Sequence, residues 1–234
     1  MKAVILAGGY GKRLKPLTES VPKPLLPVAG KGIIEWQIAW LRHYGVSEVI
    51  VCAGYLKEKV IEKLGNGSRY GVKIDYAIEE EPLGTGGALK NAEHLLRNEE
   101  NFIALNGDIL TDFNPLELMS DLDEGCVGSM ALVPLPSPFG IVNFDSGSMK
   151  IKSFVEKPRI REYWINAGVY AFKPEIFDHL PNRGNIEKIV FPKLAERGKL
   201  KAHPFESCLW MSIDSHKDLE EASRIIPNLG IFRR

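Results

Sequence analysis

Residues 3–28 read AVILAGGYGKRLKPLTESVPKPLLPV. The run 3–6 has the continuous apolar character of a buried strand, and it opens at once into Gly8, Gly9 and Gly11. Glycines let backbone N–H groups close on an anion without side chains in the way. Lys12, Arg13, Lys15 and Lys23 bring positive charge to the same short stretch. A strand that opens into a glycine loop and a group of cations is suited to hold a polyphosphate. Neither the dinucleotide spacing G-x-G-x-x-G nor the Walker pattern G-x-x-x-x-G-K-[ST] is present, so this is a phosphate loop of another kind.

Outward from that stretch, strand-like and helix-like segments alternate. The patterns predict a helix over 33–44, closed by Gly45, a strand over 48–53 and a helix over 57–64. A strand over 72–78, a helix over 87–96 and a buried strand over 102–105 follow. Apolar strands joined by amphipathic helices argue for a parallel sheet covered on both faces, with right-handed crossovers. After Asp112 the pattern changes to strands at 127–133, 141–144, 149–155 and 164–172, with a hairpin turn at 145–148. Helices return at 186–197 and 215–224.

The chain has 234 residues, 44% of them hydrophobic, and equal numbers of acidic and basic side chains. No global basic field exists to draw in nucleic acid. No apolar run approaches the ~20 residues that span a bilayer, and no secretory signal is visible, so no membrane partner is expected. Cys52, Cys126 and Cys208 lack metal-ligand spacing and read as reduced thiols, which suits a cytoplasmic location. The five histidines show no metal spacing either, and the tryptophans at 36, 40 and 164 read as core or interface residues.

The string over residues 6–28 resembles the signature of the sugar-1-phosphate nucleotidylyltransferases, the nucleoside-diphosphate-sugar pyrophosphorylases. Their pattern, L-A-G-G-x-G-x-R-L-x-P-L-T followed by P-K-P-L-x-P-V, is filled at every fixed position. A second string, EEEPLGTGGALK over 79–90, is most similar to the mannose-1-phosphate guanylyltransferase-like members. The resemblance implies a Rossmann-like three-layer α/β/α fold with a mixed, mostly parallel sheet. It implies one catalytic domain over 1–234, with a nucleotide-binding half at 1–112 and a sugar-phosphate-binding half at 113–234. The hexapeptide repeats of the left-handed β-helix that many relatives carry are absent, so no such domain is expected.

The implied reaction is attack of a sugar 1-phosphate oxygen on the α-phosphorus of an NTP, with pyrophosphate leaving. Its nucleophile is already an anion, so cations, backbone donors and a metal-binding carboxylate are needed rather than a general base. By resemblance Arg13 steadies the triphosphate and Lys23, stiffened by Pro22 and Pro24, works near the α-phosphate. Lys12 and Lys15 read as surface charges. Asp108, just past a buried strand, is the implied Mg²⁺ ligand. Leu6, Ala7, Gly8, Gly9, Gly11, Gly84 and Thr85 complete the nucleotide site. On the sugar side the resemblance implies Gly140, Glu156, Lys157, Asn166 and Gly168, with Asn166 equally readable as a turn residue.

Two positions bear on specificity and on the metal. Glu79 stands five residues before Gly84, where relatives read the base. A carboxylate only accepts hydrogen bonds, which matches the adjacent N1–H and N2–H₂ of guanine and not the flanking carbonyls of uracil or thymine. GTP is therefore the expected nucleotide, and the resemblance to the mannose-1-phosphate guanylyltransferase-like members implies mannose 1-phosphate as the sugar substrate. UTP- or dTTP-dependent transfer, or a catalytically weak regulatory or scaffold subunit, is the alternative, and a homo-oligomer is possible. The relatives' W-x-D-x-G string is replaced by Trp210-Met211-Ser212-Ile213-Asp214. Asp214 is expected to serve as the second metal carboxylate in place of the residue at 212, with helix capping as the competing role.

Overall fold

The protein is described here by a computed structural model over residues 1–232; residues 233 and 234 of the expected second half lie outside the described residues. Strand β1 (Lys2–Leu6) runs into three single 3₁₀ turns, Lys12–Leu14, Leu17–Glu19 and Lys23–Leu25. A two-residue ladder, β2 (Pro27–Val28) with β3 (Lys31–Gly32), leads into α1 (Ile33–His43). Then come β4 (Glu48–Ala53), α2 (Lys57–Leu64), β5 (Lys73–Ile78), α3 (Gly84–Asn91) and α4 (Glu93–Leu96). Next are β6 (Phe102–Asn106), β7 (Ile109–Thr111), β8 (Gly128–Pro136), β9 (Ile141–Phe144), β10 (Ile151–Val155) and β11 (Arg159–Phe172). The chain continues through α5 (Ile186–Ile189), α6 (Phe191–Glu196), β12 (Leu200–Pro204), β13 (Trp210–Ser212) and α7 (His216–Ile225).

Seven strands form one sheet in the order β12-β8-β11-β6-β1-β4-β5. The pairs β1–β4, β1–β6, β4–β5 and β8–β12 are parallel, whereas β11 runs antiparallel to both neighbours. This is the mixed, mostly parallel sheet expected from the sequence. Alternate residues of each strand supply the two faces. Ala3, Ile5, Val49, Val51, Ile103 and Leu105 pack with Ile34, Ile38 and Leu41 of α1 and Val60 of α2. Val4, Ile50, Cys52, Phe102 and Ala104 pack on the other side with Leu89 of α3, Ile186 of α5 and Leu194 of α6. The result is three layers.

A third apolar cluster matters most for function. Leu14, Leu26 and Val28 from the opening motif meet Leu110 of β7, Ile213 beyond β13 and Leu219 and Ala222 of α7. It clamps the arm that carries Lys23 against the segments that carry Asp108 and Asp214.

Several boundaries differ from the sequence reading. The helix expected over 87–96 starts three residues earlier and breaks at Ala92 into α3 and α4. The helix expected over 186–197 breaks at Val190, because Pro192, in the first turn of α6, has no N–H to continue the ladder. The strand expected from 164 starts at Arg159 and bends through two irregularities in its pairing with β8. The strand expected from 149 starts at Ile151, with Met149 in the turn at φ 56°. Strands β7, β12 and β13 were not expected. All three are short, and β12 is a mostly exposed sheet edge without an apolar run to announce it. Trp36 and Trp40 lie in the core, while Trp164 is partly exposed.

Candidate active site

A cleft of about 410 Å³ opens where the loops after β1 and β6 meet the N-terminus of α3. These loops leave the carboxyl ends of parallel strands, the usual ligand edge of such sheets. Every residue the sequence assigned to nucleotide or metal lines it: Leu6, Ala7, Gly8, Gly9, Gly11, Arg13, Lys23, Glu79, Gly84, Thr85, Asp108 and Asp214.

The opening loop is held from within. Gly11 sits at φ 60°, and a Cβ there would come within 2.8 Å of Thr18 Cγ2 and 3.0 Å of Lys23 Cβ. The Thr18 hydroxyl, fully buried, donates to the Gly11 carbonyl at 3.0 Å. The motif's threonine therefore ties the glycine loop to the arm that carries Lys23. Gly8 lies against Glu79, so that a Cβ there would displace the Glu79 carboxylate from its place at the cleft wall.

At one end of the cleft the charges converge. Lys23 Nζ donates to Asp108 Oδ2 at 2.6 Å and to Asp214 Oδ1 at 3.1 Å. Arg13 Nη2 lies 2.7 Å from the same Asp214 oxygen. The Ser212 hydroxyl donates to the other, Oδ2, at 2.9 Å. Burial alone would push the Asp214 carboxyl up, but the Lys23 ammonium, the Ser212 hydroxyl and the Arg13 guanidinium outweigh it and hold it below the ordinary carboxylate range.

The backbone fixes this geometry. Ser212 pairs with Ile109 in the β7–β13 ladder, and the Ile213 N–H donates to the Asp108 carbonyl at 2.9 Å. Helix α7 is capped by Ser215 in a reciprocal box with Asp218, and Asp218 also accepts from the Asp214 N–H. The capping role considered for Asp214 thus belongs to Ser215, and the Asp214 side chain faces the cleft. Beneath the other carboxylate, buried Gln37 donates from Nε2 to the carbonyls of Asn106 and Ile109, both at 2.9 Å, and so pins the turn that carries Asp108. Asp112 has a structural part, accepting from Leu209 N–H.

At the other end stands Glu79, 7% exposed, while Glu80 and Glu81 are exposed to solvent. Glu79 Oε2 accepts from the Leu83 N–H at 3.1 Å. Burial pushes the carboxyl up from the ordinary glutamate range, against the pull of the Leu83 hydrogen bond. A buried acceptor at a cleft wall with unused lone pairs is equipped to read donors on a ligand. Thr85 contributes its position rather than its hydroxyl, which donates to Glu187 at 2.6 Å and accepts from Ile186 N–H at 3.0 Å.

The sequence reading missed Asn185 and Tyr10, which line the cleft, while Lys12, read as a surface charge, is exposed at the cleft. Lys15 is a surface residue paired with Glu19. Asn185 comes from the loop before α5, held to α3 where the Gly184 carbonyl accepts from Gly86 N–H at 2.9 Å. Its only sequence signal was a Gly-Asn turn far from the nucleotide motifs.

The sugar-side residues do not line this cleft. Gly140 and Glu156 approach one another at the base of the β9–β10 hairpin, where a Cβ on Gly140 would come within 2.9 Å of a Glu156 carboxylate oxygen. Glu156 and Lys157 are largely exposed, 3.8 Å apart. Asn166 closes a local turn, accepting from Gly168 N–H and donating to the Tyr170 hydroxyl, both at 2.8 Å. Gly168 abuts the Asn106 side chain at the cleft wall.

The donor set fits a hard divalent cation. Two carboxylates reach one point, and Mg²⁺ is commonly held by one or two carboxylates with phosphate oxygens and water supplying the rest. No group of three or more His, Cys, Asp or Glu side chains suited to a metal occurs among the described residues, so the protein alone would hold such an ion incompletely.

Comparison with known proteins agrees with this architecture. The nucleotidyl transferase family model matches residues 2–228, and the chain belongs to that family. It is 39% identical over 226 residues to mannose-1-phosphate guanyltransferase beta-A of Xenopus laevis, and 37% identical over 229 residues to mannose-1-phosphate guanyltransferase of Saccharomyces cerevisiae. Each match covers 93% of this chain but 62% of the relative, so the chain spans under two thirds of the length of these relatives. Among solved structures, HddC from Yersinia pseudotuberculosis superposes with a TM-score of 0.76 at 30% identity, covering 95% of this chain and 98% of that one. A second structure of HddC, complexed with GMP-PN, gives 0.75 at 29% identity.

Proposed function

We propose that the chain transfers a nucleotidyl group from an NTP, GTP by preference, to a sugar 1-phosphate, mannose 1-phosphate by preference. The products are the nucleotide sugar and pyrophosphate. The observation that carries this reading is the convergence of Lys23, Arg13, Asp108 and Asp214 beside the Gly8–Gly11 loop. The reacting groups are both polyanions, so catalysis consists of holding them in line and neutralising charge as it moves to the leaving pyrophosphate. Backbone N–H groups of the loop would hold the phosphates. Arg13, largely exposed at the cleft mouth, would meet the β- and γ-phosphates, and Lys23 the α-phosphate. Mg²⁺ held by Asp108 and Asp214 would supply further charge neutralisation at the phosphates.

The preference for guanine rests on Glu79, buried at the opposite end with one oxygen fixed by Leu83. The names of the relatives and the GMP-PN complex of HddC point the same way. Residues 1–112 would bind the nucleotide, with Asn185 and Asp214 reaching in from the second half, and Gly140, Glu156, Lys157, Asn166 and Gly168 would take the sugar phosphate. A cytoplasmic setting belongs to the same reading, since Cys52, Cys126 and Cys208 are free thiols. Ser212 in place of the relatives' aspartate favours the alternative of a catalytically weak subunit. Against it stands Asp214, whose carboxylate meets the same lysine as Asp108.

Pyrophosphate release, measured with four NTPs and a panel of sugar 1-phosphates in Mg²⁺, tests the reading. The fastest turnover is expected with GTP and mannose 1-phosphate. A UTP or dTTP preference would overturn the base assignment, and no release with any pair would favour the inactive subunit.

A further inference from the structure

Lys23 stands where a cation held by both carboxylates would stand. Its nitrogen is 2.6 Å from Asp108 Oδ2 and 3.1 Å from Asp214 Oδ1, and its side chain is 14% exposed. The remaining contacts keep the two acids aimed at that point. Ser212 holds the far oxygen of Asp214, and Ile213 N–H holds the carbonyl of Asp108. Two carboxylates this close repel each other unless a positive charge lies between them. We propose that Lys23 is a place-holding cation. Without ligands its ammonium keeps Asp108 and Asp214 in metal-binding register, and entry of the divalent ion displaces it toward the phosphates.

Two physical points carry the exchange. A divalent ion and an ammonium within about 4 Å of each other repel, so both cannot occupy the seat. The lysine also has somewhere to go. Pro22 and Pro24 restrain the backbone on either side, so the motion falls to the four-carbon stem, and the Cβ lies against Gly11 of the glycine loop. An ammonium released from the acids therefore stays at the phosphate loop. Metal binding and lysine delivery then become one event, and the lysine is withheld from the phosphates until the metal is present. Asp214 accepts from Ser212 and Lys23 and pairs ionically with Arg13, which gives the cation-filled state its stability.

The inference rests on the reading of Asp108 and Asp214 as metal ligands, and the test separates the two ideas. Mn²⁺ binding without nucleotide is measured by electron paramagnetic resonance for the unmodified protein, Lys23→Met, Lys23→Arg and Asp108→Asn. Lys23→Met should bind Mn²⁺ roughly tenfold more tightly, since the competing charge is gone. Lys23→Arg, which keeps the charge, should not. Equal or weaker binding by a folded Lys23→Met would overturn the exchange, whereas unaltered binding by Asp108→Asn would overturn the metal assignment itself. An independent readout uses the unmodified protein: acetylation of Lys23 by a trace of acetic anhydride, followed by peptide mass spectrometry. Mg²⁺ alone should raise its rate several-fold relative to surface lysines, and an unchanged rate would also refute displacement.

Discussion

Substituting Glu79 by glutamine separates shape from charge at the base end of the cleft. The Leu83 N–H points at Oε2 from 3.1 Å and needs an acceptor. In the Glu79→Gln side chain the amide oxygen must take that place, which turns the NH₂ group toward Gly8 and the cleft. A surface that accepted hydrogen bonds now donates one. Guanine, with N1–H and N2–H₂ side by side, meets a donor where it met a carboxylate. A hydrogen bond to a charged group is worth about 1.5–3 kcal/mol, so kcat/KM for GTP should fall about 10- to 100-fold. UTP and dTTP, which present ring carbonyls beside their one N–H, should gain or hold steady. The assay is pyrophosphate release with each NTP at a fixed sugar 1-phosphate, compared as ratios of kcat/KM. Ratios unchanged by the substitution would refute the reasoning and leave Glu79 a structural residue of the 79–83 turn.

The same side chain makes a prediction about stability. Burial raises its folded pKa, so the native state disfavours the ionised form, and stability is lost as pH rises through the ordinary glutamate range toward the folded value. Glu79→Gln should therefore melt higher than the parent at pH 7 and not at pH 3; a lower melting temperature at both would disprove this. Asp108→Asn should abolish Mg²⁺-dependent turnover, and an unmoved Mg²⁺ titration would remove Asp108 from the metal. Arg13→Ala should lower turnover by about 10²–10³ with little change in thermal stability, since its side chain is 74% exposed; near-normal turnover would exclude it from catalysis. Asp214→Ala should raise the Mg²⁺ needed for half-maximal rate, and adding Ser212→Asp to that variant, which returns an acid to position 212, should bring the requirement back down; an unmoved Mg²⁺ midpoint in Asp214→Ala would return the metal to Asp108 alone.

The phosphate loop was legible because its chemistry is local. Gly8, Gly11, Arg13 and Lys23 fall within sixteen residues, and one β-strand followed by one arm brings them together. The parallel half of the sheet was legible because its strands are buried on both faces and read as unbroken apolar runs. What the sequence concealed lies where distant segments meet. Gln37 looks like one more polar residue of an amphipathic helix, yet it is buried and holds the turn that carries Asp108 by the carbonyls on either side of it. Asn185 reaches the cleft only because α3 and α5 are stapled through Gly184, and no spacing along the chain records that contact. Strands β7 and β13 are three residues each, too short for a period of two to register.

The displaced carboxylate shows how tertiary structure settles a question that strand periodicity poses. Along an extended strand, residues i and i+2 share a side but stand roughly 7 Å apart, so moving the acid from 212 to 214 should carry it past the metal. Here β13 ends at Ser212, and the next residue, Ile213, spends its N–H on the Asp108 carbonyl and buries its side chain with Leu14 and Leu110. Asp214 nonetheless reaches the same Lys23 ammonium as Asp108. The capping box of α7 then fixes the next residue, so Asp214 has little room to swing away. Ser212, where the family signature calls for an acid, donates its hydroxyl to Asp214 and orients it. Ser212 and Asp214 therefore form a single device, held in place by the Ile213 N–H between them. A proline or glycine introduced at Ile213 should loosen the pair as effectively as removing the acid itself.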